Sequence, residues 1–70
     1  MNEKMFWEAD LPPFPFRAML VSEPDNEYAR ANMRTGEIYT VHELAGSCYL
    51  VTTDKGDKTL VWRGRFETVR

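Results

Sequence analysis

Cysteine is nearly missing from this 70-residue chain, where Cys48 stands alone. No disulfide framework can form within it, which argues against the small cross-linked extracellular scaffolds. Histidine is equally scarce: His42 and Cys48 do not make up the Cys and His set that a zinc site needs. No metal and no cofactor is expected. The four glycines are scattered, so the sequence holds no phosphate-cradling loop. No stretch approaches the roughly 20 apolar residues of a membrane span. Nor does an apolar run of roughly seven residues follow a basic start, as in a signal peptide. A soluble, cytoplasmic protein is expected by elimination.

Charge of one sign is also lacking. The net charge is −2, and its distribution is mildly uneven. Residues 1–27 hold six acidic and two basic side chains; residues 28–70 hold five acidic and seven basic. This fits a mixed soluble surface, with a weak basic patch near the C-terminus as the alternative.

Aromatic residues are abundant, with two Trp, three Tyr and four Phe. A chain of this length forms one domain at most and buries only about 60% of its unfolded surface, so stability is marginal. Aromatics bring the most burial per side chain, which is what a small core needs.

Residues 1–16 read as an arm. Met5-Phe6-Trp7 is followed by Leu11-Pro12-Pro13-Phe14-Pro15-Phe16, and three prolines in four positions favour an extended polyproline-II path over a helix or a central strand. The domain proper is expected over residues 17–70. The first strand is expected over residues 17–22, then a turn at Glu23-Pro24-Asp25-Asn26. Residues 28–34 read as an irregular loop with at most one helical turn. From Gly36 the pattern is plainly β: residues 37–44 carry Ile38, Tyr39, Thr40 and Val41, which suit a pleated, half-buried surface. Ala45-Gly46-Ser47 closes a hairpin onto residues 48–53. Asp54-Lys55-Gly56-Asp57 closes a second onto residues 58–62, with Gly56 supplying a left-handed backbone. Residues 66–69 form a last short strand. Strands at this spacing predict an all-β barrel or sandwich.

Gly36-Glu37-Ile38-Tyr39-Thr40-Val41, Cys48-Tyr49-Leu50-Val51, Leu60-Val61-Trp62 and Arg63-Gly64-Arg65-Phe66 together resemble the later strands of the Src-homology-3-like barrel. Gly36-Glu37-Ile38-Tyr39 with Arg65-Phe66-Glu67 resembles a group of small bacteriophage-encoded proteins with that fold. The resemblance covers about half the chain. It implies a five-stranded barrel, a single helical turn at residues 63–65, and a phage accessory protein that docks on a host or viral protein. The peptide-binding members carry an aromatic-rich first strand and a proline before the last strand. Here Arg17-Ala18-Met19-Leu20-Val21 and Arg63-Gly64-Arg65 stand in those places, so proline-peptide recognition is not implied.

Catalysis is not expected. His42 is the one side chain suited to general-base work, with Ser47 and Cys48 the nearest nucleophiles, and no glycine-rich turn exposes either. His42 reads as a strand residue at the surface or half buried, and Cys48 as a small buried hydrophobe. Asp54 and Asp57 fit a solvated hairpin better than an acid–base pair in a cleft. What remains is recognition. Phe6, Trp7, Phe14 and Phe16 are the candidate anchors of the arm, which either displays them or packs them on the domain. Trp62, Arg63 and Arg65 form a second candidate surface, because aromatics and arginine dominate interface energetics. Basic residues interleaved with aromatics also suit single-stranded nucleic acid. Yet Asp54, Asp57 and Glu67 lie among them and the pI is about 5.3, which favours a protein partner.

Overall fold

Every second residue from Phe16 to Leu20 is buried, and that alternation sets one face of the first strand inward. The computed structural model describes residues 11–69; the candidate anchors Phe6 and Trp7 lie outside them. Strands β1 (Phe16–Leu20), β2 (Ile38–Ala45), β3 (Cys48–Thr52), β4 (Lys58–Trp62) and β5 (Phe66–Thr68) pair antiparallel in the order β4-β3-β2-β1-β5. One helix, α1 (Glu27–Asn32), lies between β1 and β2, and a 3-10 turn (Arg63–Arg65) links β4 to β5. The described residues are therefore all-β apart from one short helix and the 3-10 turn.

The inward faces of the strands build the core. Ala18, Leu20, Val41 and Val51 are fully buried, with Phe16, Tyr39, Tyr49 and Val61 around them. The rings of Phe14, Phe16, Tyr49 and Phe66 follow one another at centroid spacings of 5.3, 5.6 and 5.6 Å. These tilted and edge-on contacts are the arrangements that aromatic quadrupoles prefer. A bulge between Val41 and Glu43 shifts the register of β2 against β3. Before it the odd-numbered Tyr39 and Val41 point inward. After it the even-numbered Leu44 packs against the core.

Three expectations are corrected. Strand β1 begins at Phe16, so that ring is 8% exposed and belongs to the core rather than to an arm. Residues 27–32 form a regular helix of six residues, longer than the one turn allowed for within a loop. Asn26 caps it, its Oδ1 accepting from the Ala29 amide at 3.1 Å, and the methyl of Ala29 is fully buried. Helices this short hold through such caps and tertiary packing rather than propensity. Finally, the sheet does not close: β4 and β5 stand at opposite edges with no pairing between them. The 3-10 turn diverts the chain after Trp62, and β5 is only three residues long.

Residues 21–37 cross the open side of the sheet as a strap. Its near end is held by hydrogen bonds between Leu20 and both Gly36 and Glu37, and by Val21 N–H donating to the Arg65 carbonyl. Its middle is fixed to the edge of β4, where Asn26 Nδ2 donates to the Leu60 carbonyl at 3.2 Å and to Thr59 Oγ1 at 3.4 Å. Its helix is tied to the β3–β4 hairpin. The Asp54 amide donates to the Asn32 carbonyl, and the Tyr28 hydroxyl donates to Asp57 Oδ2. Pro24, Ala29 and Met33 are the strap residues it buries.

Candidate protein-docking groove

The 3-10 turn and the strap together shape the most distinctive surface among the described residues. Trp62 ends β4 on the outward side and remains 52% exposed. Gly64 makes room for its indole: a β-carbon there would stand 2.6 Å from ring atom Cζ2. The Arg65 guanidinium lies 5.5 Å from the ring centroid, within cation–π range. That guanidinium is itself oriented, since Nη2 bonds Asp25 Oδ1 at 2.6 Å and Nη1 reaches Ser22 Oγ at 3.4 Å. Strap, arginine and indole thus hold one another, and the ring is fixed before any partner arrives.

Beside the ring runs a groove of about 210 Å³, lined by Pro24, Asp25 and Asn26 on the strap and by Cys48, Leu60, Val61 and Trp62 on the sheet. Its walls are mostly apolar. Cross-strand pairing explains the arrangement: Cys48 lies opposite Trp62 and Ala45 opposite Cys48, while Leu50 lies opposite both Leu60 and Glu43. These residues make two rows on the outward face of β2, β3 and β4. Leu60 is 46% exposed. Cys48 is a free, half-buried thiol at the edge of the groove, where full burial is expected from the sequence.

The candidate residues separate. Phe14 is 44% exposed and touches Phe16, whose own ring is committed to the core. Trp62 and Arg65 come together as described. Arg63 is half-buried at the start of the 3-10 turn, its amide donating to the Ser47 carbonyl at 2.9 Å. Burial raises the pKa of the Tyr49 hydroxyl, and the charge of Arg63 opposes that rise. Pro24, Asp25 and Leu60 contribute to the groove without any signal in the sequence that singles them out.

At the far end of the sheet a second cluster has a structural task. Asp57 Oδ1 accepts from Thr53 Oγ1 at 2.5 Å and Oδ2 from Tyr28, so the carboxyl is held below its usual range, chiefly by the Thr53 hydroxyl. The Tyr28 hydroxyl is correspondingly raised, first by its bond to Asp57. Tyr39 OH accepts from the Arg34 amide and donates to Asp54 Oδ2, pinning the strap's end to the same hairpin. His42 Nε2 lies 2.6 Å from Thr52 Oγ1, so the ring is engaged by its cross-strand neighbourhood. Among the described residues no group of three or more His, Cys, Asp and Glu side chains is placed to hold a metal. Among the same residues no helix is long and apolar enough to cross a membrane.

No family model, curated protein or solved structure matches this chain.

Proposed function

We propose that this chain is a non-enzymatic protein-binding module that docks on its partner through the groove beside Trp62. One observation carries the reading: a large aromatic side chain is more than half exposed yet held rigidly by Gly64 and Arg65, at the lip of an apolar groove. Exposed tryptophan next to apolar surface marks an interaction site, and a fixed ring loses little entropy on binding. Leu60, Pro24 and Cys48 supply the apolar floor and wall, and Asp25 and Asn26 the polar rim that such interfaces carry.

The order of strand, long strap, strand, two tight hairpins, 3-10 turn and short strand supports a Src-homology-3-like architecture as the scaffold. With it comes the proposal that the protein is a phage accessory factor acting on a host or viral protein in the host cytoplasm. That part rests on the resemblance of residues 36–69. Nucleic acid is the weaker reading, because Arg65 already neutralises its charge against Asp25.

The test is capture from a host lysate by the wild-type protein, by Trp62→Ala and by Phe14→Ala. Retention of one protein by wild type and Phe14→Ala, lost with Trp62→Ala, supports the groove. Loss with Phe14→Ala alone moves the site to the arm. Recovery of nucleic acid that is shed between low and moderate salt overturns the protein reading, since counterion release makes such binding steeply salt-dependent.

A further inference from the structure

We infer that the strap masks β4 against pairing with a second copy of this chain, and that releasing the strap converts the monomer into a β4-to-β4 dimer. This goes beyond the docking reading and does not depend on it.

Strand β4, Lys58-Thr59-Leu60-Val61-Trp62, is the edge of the sheet. It is apolar and rich in residues of high β-propensity, the composition that makes an edge prone to add a strand. The direction of its backbone groups follows from two hydrogen bonds. Arg63 donates its amide inward to Ser47 on the β3 side, and the Leu60 carbonyl receives Asn26 from the strap. Because alternate residues of a strand point opposite ways, Lys58, Leu60 and Trp62 turn their backbone groups outward. Among these groups the Leu60 carbonyl is occupied by a side chain of the strap, and the Trp62 carbonyl opens the 3-10 turn. Asn26 therefore takes the place a neighbouring strand's N–H would fill.

The edge is complementary to itself. An antiparallel copy centred on Leu60 sets Leu60 opposite Leu60, exchanging two backbone hydrogen bonds. It sets Lys58 of each copy opposite Trp62 of the other. Leucine meets leucine and an ammonium meets an indole, on the same face of the extended sheet. The pairing is isologous and closes at two copies. What prevents it is the strap across the edge, clasped by Asn26 on Leu60 and Thr59, by Tyr28 on Asp57, and by Lys55 over the Tyr28 ring at 5.8 Å.

The experiment is sedimentation of wild type, Asn26→Ala/Tyr28→Phe, and the same double variant carrying Leu60→Lys, from about 10 to about 500 μM. Wild type is expected to sediment at its 8.2 kDa mass throughout. The double variant is expected to reach twice that mass with rising concentration, reversibly. Leu60→Lys is expected to restore the monomer, because it places like charges directly opposite each other. A cooperative melt confirms that each variant is folded. Should the double variant lose its melt, Asn26→Asp/Tyr28→Phe, which keeps the capping oxygen and removes the amide donor to Leu60, decides by the same criterion. A folded variant that stays monomeric at the highest concentration overturns the inference. So does an association that survives Leu60→Lys, or a wild type that already dimerises through this edge.

Discussion

The indole of Trp62 lies against Gly64, leaving no room for a β-carbon at residue 64. Gly64→Ala therefore acts on the ring and not on the turn. The alanine variant should cost about 1–3 kcal/mol, the usual penalty of forced overpacking. It should also change the environment of Trp62. In a Trp7→Phe background the fluorescence maximum of the remaining tryptophan should move, and iodide quenching should rise as the ring leaves its seat. An unchanged spectrum would show that the ring does not rest on Gly64 in solution.

Gly56 makes the contrasting case. Nothing lies within 4 Å of a β-carbon built there, yet its φ is +93°. Gly56→Ala should cost about 1–2 kcal/mol through backbone conformation alone. The loss should appear in the chemical melt with no change in tryptophan fluorescence. The two glycine variants thus separate steric support of the groove from turn formation.

Arg65 joins three parts of the surface, and its pairing with Asp25 is partly solvated, with side-chain exposures of 26% and 81%. Solvent screening leaves such a pair worth under about 1 kcal/mol, so Asp25→Asn should be nearly silent in stability, and more nearly so at high salt. Arg65→Ala also removes the packed stem and the cation over Trp62. It should cost about 1–2 kcal/mol and weaken partner capture more than Asp25→Asn does. Equal effects of the two substitutions would mean that the ion pair, and not the stack on Trp62, is what matters.

The Tyr28–Asp57 clasp sets a pH dependence at both ends of the scale. Asp57 titrates below its ordinary 3.8 when folded, because Thr53 and Tyr28 donate to the carboxylate. Its stabilising contribution is therefore complete above the ordinary carboxylate range and is lost as pH falls through the folded value. Tyr28 titrates above its ordinary 10.0. Its contribution is complete below that value and is lost as pH rises through the folded one. Melting temperature should fall on the acid limb with a slope that Asp57→Asn flattens. Tyr28→Phe should flatten the alkaline limb. Parallel profiles for variant and wild type would show that the clasp does not form.

Much of the sheet is legible in the sequence because its signals are local. Gly46 and Gly56 mark the two hairpins, and β-branched and aromatic residues fill the strands between them. Lys58 to Trp62 is delimited to the residue, and the turn at Arg63–Arg65 matches what the resemblance implies. The helix is harder to see. Six residues make fewer than two turns, too few for an amphipathic pattern to repeat, and what holds the helix is Asn26 at its cap and a buried Ala29 contact that exists only after folding. The prolines before Phe16 place it with the arm, whereas pairing with Val41 makes it a strand residue. Of the candidate site, Trp62 and Arg65 could be singled out because tryptophan and arginine are conspicuous in any sequence. Leu60 shares the strand of Trp62, but Pro24 and Asp25 join them across about 35 or more residues of intervening chain, and no local pattern encodes such a meeting.

The bulge at His42 has a consequence for changes in chain length. Tyr39 and Val41 face inward on odd numbers, and Leu44 faces inward on an even one. Removing His42 would bring all three onto one unbroken alternation, at the loss of its contact with Thr52. Away from the bulge a one-residue deletion would turn the remaining side chains inside out. Position 42 is thus where this protein can be shortened by a residue and still keep its core pointing inward, a tolerance that point substitutions would never reveal.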